Sequence, residues 1–115
     1  MYSEFYIIHL IKGVENMIYI TITGMQYHLG MEAFKVGQIV YLEKEEDNDY
    51  DAEAIRVLGE SGIKLGHVAN SVRTVAKGTH SAGWIGHLLE NKISAKVMFI
   101  TGNSIIACLL LENDK

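Results

Sequence analysis

Apolar and polar residues alternate one for one over "MIYITITG", residues 17–24. Ile18, Ile20 and Ile22 fall on one side, and Tyr19, Thr21 and Thr23 on the other. A period of two marks a half-buried strand, which Gly24 ends or bulges. "GMQYHLG", between Gly24 and Gly30, reads as a connection, and "QIVYLEKE" is a second strand. "AEAIRVLG" predicts a third, with Ala54, Ile55 and Val57 as its apolar positions; "ESG" then turns tightly into a short strand, "IKLGHV". "NSVRTVAKG" reads at helical spacing: Asn70 or Ser71 can cap it, Val72, Val75 and Ala76 share a face, and Gly78 stops it. A second short helix is expected from about Trp84 to Asn91. The chain closes with "KISAKVMFITGNSIIACLLLE", a β-hairpin with "TGNS" at its turn. Six strands in short meanders, with two short helices between the fourth and fifth, predict a mostly β (α+β) fold, a small barrel or curled sheet.

Composition narrows the class. The 115 residues fit one domain, and 49% hydrophobic with 21% charged residues is a globular balance. No apolar run reaches the length of a membrane span. The leading "MYSEFYIIHLIKGVEN" lacks a basic start and a small-residue cleavage site, so no signal peptide is expected. The lone cysteine, Cys108, sits in the apolar run "IIACLLL"; it forms no intrachain disulfide and suits a reducing cytoplasm.

Charge changes the picture more by its distribution than by its sum. The net charge of −4 argues against a strong non-specific grip on nucleic acid. Yet residues 43–53 hold seven of the fourteen acids and one base, Lys44, which leaves seven acids and nine bases elsewhere. One acidic segment, centred on "DNDYD", is set on a weakly basic body. Asp and Asn make turns by bonding their own backbone, so a solvated turn is the bland reading. Asp47, Asp49 and Asp51 alternate as in a calcium loop, but Ala52 and Leu58 stand where such a loop needs Gly and a bidentate Glu. No histidine pair has helical zinc spacing, no nucleophile turn is present and no phosphate-loop pattern occurs. No metal or cofactor is expected. What remains is aromatic: Tyr27 between two glycines, and Tyr50 inside the acidic turn. Each ring either packs on its own barrel or serves as a stacking platform for bases. Trp84, at a helix start, is either a surface anchor for a partner or, as is commoner for a lone tryptophan there, packed against the core.

"ITGMQYHLG", followed by "GQIVYLEKEEDNDYDAEAIRVLGESGIKLGHV", resembles the HIRAN domain family. The matching positions are the glycine-bounded aromatic segment, Asn48-Asp49-Tyr50-Asp51, Ala54-Ile55-Arg56-Val57 and Gly66-His67-Val68. The resemblance is clear over residues 17–70 and compatible to residue 111. Residues 1–16 fall outside it as an extension, and Met17 is itself a candidate start. It implies a modified oligonucleotide-binding (OB-like) six-stranded barrel and a stand-alone bacterial or phage-type module. It implies capture of the 3′-hydroxyl end of single-stranded DNA in repair or fork processing, beside a DNA helicase, translocase or other repair protein. Under it Tyr27 and Tyr50 stack on terminal bases, Asp51 accepts a hydrogen bond from the 3′-hydroxyl, and Asn48 and His67 hold the turn or nearby backbone. A carboxylate suits a polyanion only where the strand offers a donor and no phosphate. The sequence departs from the family at Gln26, Ala69 and Asn70, where basic residues are common, and at Asp49, which replaces a common proline. Glu45, Glu46 and Asp47 add negative charge where DNA should approach. Lys64, Arg73 and Lys77 are the remaining candidates for phosphate contact.

Three functional classes follow: a non-catalytic DNA-end-binding module; a protein-interaction adaptor that kept the fold without DNA binding; and a metal-dependent nuclease using Asp47, Asp49 and Asp51. The last lacks acids converging from several elements.

Overall fold

The computed structural model describes residues 17–111; the expected extension over residues 1–16 lies outside them. The alternating segments become strands β1 (Tyr19–Thr23), β2 (Ile39–Lys44), β3 (Ile55–Leu58), β4 (Lys64–Val68), β5 (Ile93–Ile100) and β6 (Ile105–Leu110). They close into an antiparallel barrel in the order β1-β4-β3-β2-β5-β6, with β6 returning to β1. Register puts Val40 and Leu42 of β2, Val57 of β3 and Ala95 and Val97 of β5 inside, where none exposes any surface. Closure leaves none of the described strands as a sheet edge. The expected mostly β, OB-like barrel is the observed fold, with one short helix and several 3₁₀ turns among the described residues.

Two glycines shape the end of the barrel that carries the acidic turn. Gly24 leaves β1 with φ of 77°, a left-handed conformation that costs glycine little, and a 3₁₀ turn follows over Met25–Tyr27. Gly66 allows β4 to approach β1: a Cβ there would lie 2.7 Å from the Thr23 carbonyl oxygen and 3.2 Å from Ile22 Cγ2. That approach sets the pairing Thr23↔His67 and Ile22↔Val68.

Three local expectations are corrected. "NSVRTVAKG" forms a turn and not a helix. The Val75 N–H does reach the Ser71 carbonyl at 2.9 Å, but the next N–H, of Ala76, goes instead to Thr21 Oγ1 at 3.0 Å. Val72 is consequently 97% exposed instead of sharing a buried face. The second helix starts earlier and is shorter: α1 spans Ala82–Ile85, capped by Ser81, whose Oγ accepts from the Trp84 N–H at 3.2 Å, and a 3₁₀ turn covers Gly86–Leu88. Finally, Tyr19 and Thr21, on the outward side of β1, are buried. The loop 70–80 lies over them. Tyr19 packs with Ile106 and Cys108 beneath Ala76, Met98 and Phe99, while Thr21 Oγ1 also bonds Thr79 Oγ1 at 2.8 Å. Alternation reports the pleat, and whether the outer side is wet depends on what another segment does.

Candidate nucleic-acid interface

The acidic turn joins β2 to β3 and is built by its own polar side chains. Asn48 Oδ1 accepts from the N–H groups of both Tyr50 and Asp51, each at 2.9 Å. Asp51 Oδ1 accepts from the Glu53 N–H at 2.9 Å, and the Asp51 carbonyl from the Ala54 N–H at 3.2 Å. These Asx turns fix the backbone locally. They also leave Tyr50 fully exposed at their apex, with no packing on the barrel.

Glu45 is the hub beneath the turn. Its side chain is only 8% exposed. It accepts from the Lys64 ammonium, from Asn48 Nδ2 at 3.1 Å and pairs with His67 Nε2 at 3.0 Å. Burial pushes the Glu45 pKa up, but the bonds from Lys64, Asn48 and His67 together outweigh it and hold the group at about 2. Glu45 therefore does not add to the outward negative field as its place in the acid run suggested. Its charge is compensated inside the protein, and Lys64, expected to face phosphate, has its ammonium bonded to Glu45. No pattern in the chain distinguishes Glu45 from its neighbours Glu43 and Glu46; only the fold brings β4 against it.

The hub also links the glycine-bounded segment to the acidic turn. The His28 and His67 rings lie 6.3 Å apart, tilted by 52°. Desolvation, then the nearby Lys64 and His67, lower the His28 pKa, against an opposing pull from Glu45. Tyr27, one residue before His28, is 81% exposed. His67 and Glu45 thus connect the segment that carries Tyr27 to the turn that carries Tyr50. Between turn and barrel lies a depression of about 410 Å³, lined by Asp47, Asn48, Asp49 and Tyr50 on one side and Arg56 and Lys64 on another. Arg56 ties the start of the turn down through Glu43 at 3.2 Å and Asp47 at 3.8 Å.

Of the expected site residues, Asn48, Tyr50 and Lys64 line the depression, Asp51 follows in the same turn, and His67 joins Lys64 and Asn48 on Glu45, while Tyr27 does not line it. Arg73 and Lys77 do not line this depression. They ride on the 70–80 loop, which touches the acidic turn through Asn70 Nδ2 and Glu53 Oε1 at 2.9 Å. Trp84, for which core packing is the commoner of its two readings, is 48% exposed on α1. Among the described residues no group of three His, Cys, Asp or Glu side chains could hold a metal, and no helix is long and apolar enough to cross a membrane.

Comparison with known proteins agrees with this fold. The HIRAN domain of human HLTF superposes with a TM-score of 0.61 at 20% identity, covering 81% of this chain and 72% of that one. A protein from Lactobacillus plantarum superposes at 0.57 with 21% identity, covering 80% of this chain and 88% of that one. None of the curated proteins searched matches the sequence. The family model of the HIRAN domain matches residues 16–106, and with the resemblance carried by Asn48, Tyr50, Asp51, Gly66 and His67 the chain belongs to the HIRAN domain family of DNA-binding modules.

Proposed function

We propose that this protein captures the 3′-hydroxyl end of single-stranded DNA without acting on it chemically. The observation that carries the reading is a fully exposed Tyr50 on a backbone immobilised by Asn48, directly before Asp51. A preordered, unpacked aromatic ring loses little on binding, and a stacked base supplies about 1–3 kcal/mol. Tyr27 offers a second ring across the hub. Asp51 spends Oδ1 on the turn and has Oδ2 for the terminal hydroxyl. His67 and Asn48 position the turn through Glu45, and Arg73 and Lys77 meet phosphates further along the strand. A 3′-phosphate brought to Asp51 is repelled, which makes the site selective for an unmodified end.

The cellular reading is a cytoplasmic module over residues 17–111, with 1–16 as an extension, serving repair or stalled-fork processing beside a DNA helicase or translocase. The test is fluorescence anisotropy at low, stated salt with one strand ending in a 3′-hydroxyl or a 3′-phosphate. Tight binding of the hydroxyl and loss with the phosphate is the expected result. Equal binding removes the end-selecting role from Asp51. No binding to either strand favours the adaptor reading, in which the same exposed tyrosines meet a protein.

A further inference from the structure

Away from the acidic turn, the described surface carries a second ordered aromatic group. The indole of Trp84 stacks on the His80 imidazole with centroids 3.8 Å apart and planes 17° off parallel. His87 meets it edge-on at 5.6 Å and 76°, and its Nδ1 lies 2.8 Å from the Trp84 carbonyl oxygen. The supports are themselves fixed. The His80 N–H donates to the Tyr19 carbonyl at 2.8 Å, and Ser81 caps the Trp84 N–H. Nearly half of the tryptophan nonetheless faces solvent. A ring held this firmly and left half open is preorganised for a flat ligand.

Charge points to the ligand's class. From Ala69 to Leu89 the sequence has no Asp or Glu, while it has Arg73, Lys77, His80 and His87. Residues 43–53, by contrast, carry seven acids and one base. The two regions abut. Asn70 Oδ1 accepts from the Gly83 N–H at 2.8 Å, Asn70 Nδ2 donates to Glu53, and a Cβ on Gly83 would lie 2.8 Å from the Glu53 carboxylate oxygens. Glu53 in turn donates its N–H to Asp51. The sign of the surface charge therefore reverses where the acidic turn meets α1.

We propose that Trp84, backed by His80, is a second base-stacking platform that holds the body of the strand whose 3′ end sits at the acidic turn. This rests on the DNA-end reading and extends it. A strand end held among carboxylates must carry its phosphates away from them, and the acid-free loop and α1 are the adjoining surface that accepts a polyanion. Trp84 stacks on a base several nucleotides from the end, and the cations of the 70–80 loop meet the backbone beside it.

Trp84 is the sole tryptophan, so intrinsic fluorescence reports this position alone. The experiment titrates the full chain with a trinucleotide and a dodecanucleotide, both ending in a 3′-hydroxyl, and follows tryptophan emission and anisotropy of the labelled strand in parallel. The expected result is quenching as the dodecanucleotide saturates. Trp84→Ala is expected to weaken the dodecanucleotide about tenfold and leave the trinucleotide unchanged, while Trp84→Phe keeps most of the affinity. Thermal melts confirm that both variants fold. Dodecanucleotide binding with unchanged tryptophan emission overturns the second platform, leaves end capture standing and makes a protein the occupant of this patch. Absence of binding to both strands overturns the two readings together.

Discussion

Replacing Glu45 by glutamine tests the hub on which both halves of the site rest. The wild-type carboxylate is buried, which by itself raises its pKa, yet its bonds to Lys64, Asn48 and His67 bring it from 4.5 to about 2. At about 1.4 kcal/mol per tenfold change in acidity, the ionised group contributes about 3 kcal/mol of folding stability. A carboxylate whose folded-state pKa is depressed stabilises the fold above its unfolded value. That contribution is complete above 4.5 and is lost as the pH falls toward about 2. Glu45→Gln keeps the shape of the protonated side chain and removes the charge. It is expected to be about 3 kcal/mol less stable than wild type at neutral pH, with the gap narrowing steadily below the unfolded carboxylate pKa. A larger loss is admissible, because Lys64 and His67 then face a neutral partner in a partly buried setting. The assay is urea unfolding followed by circular dichroism, on both proteins, from neutral pH down to about pH 3. A gap that stays constant across this range, or no gap at neutral pH, would falsify the hub.

Two further substitutions separate binding from folding. Tyr50→Ala is expected to weaken single-stranded DNA by about 1–3 kcal/mol in anisotropy titrations while leaving the melting temperature unmoved, since the ring contacts no core; a lowered melting temperature would make Tyr50 structural. Gly66→Ala is expected to do the reverse in kind: its Cβ meets a backbone oxygen at 2.7 Å, so β1 and β4 must part at a cost of about 1–3 kcal/mol, and a denaturation midpoint equal to wild type would contradict the close approach.

Much of the fold was legible along the chain because a barrel interior is read two residues at a time. Ile20, Ile22, Val40, Leu42 and Val57 sit inside as their alternation requires, and the turns at "ESG" and "TGNS" are carried by residues suited to them. The acidic turn was legible too, since Asn48 and Asp51 build it from bonds only two or three residues long. Its likeness to a known family rested on the same local pattern.

The rest depended on segments distant in sequence. Nothing near Glu45 says that its charge is buried; Lys64 and His67, 19 and 22 residues away, decide it. The stretch after Asn70 has helical spacing, but Thr21 takes the Ala76 N–H and turns the chain across β1. The same turn buries Tyr19 and Thr21 and delivers His80 onto Trp84. Sequence alone determined the strands, the turns and the acidic loop, because each answers to contacts within a few residues. Tertiary structure decided which charges face solvent and which aromatic rings stay open, because desolvation and stacking depend on whatever the closed barrel brings alongside.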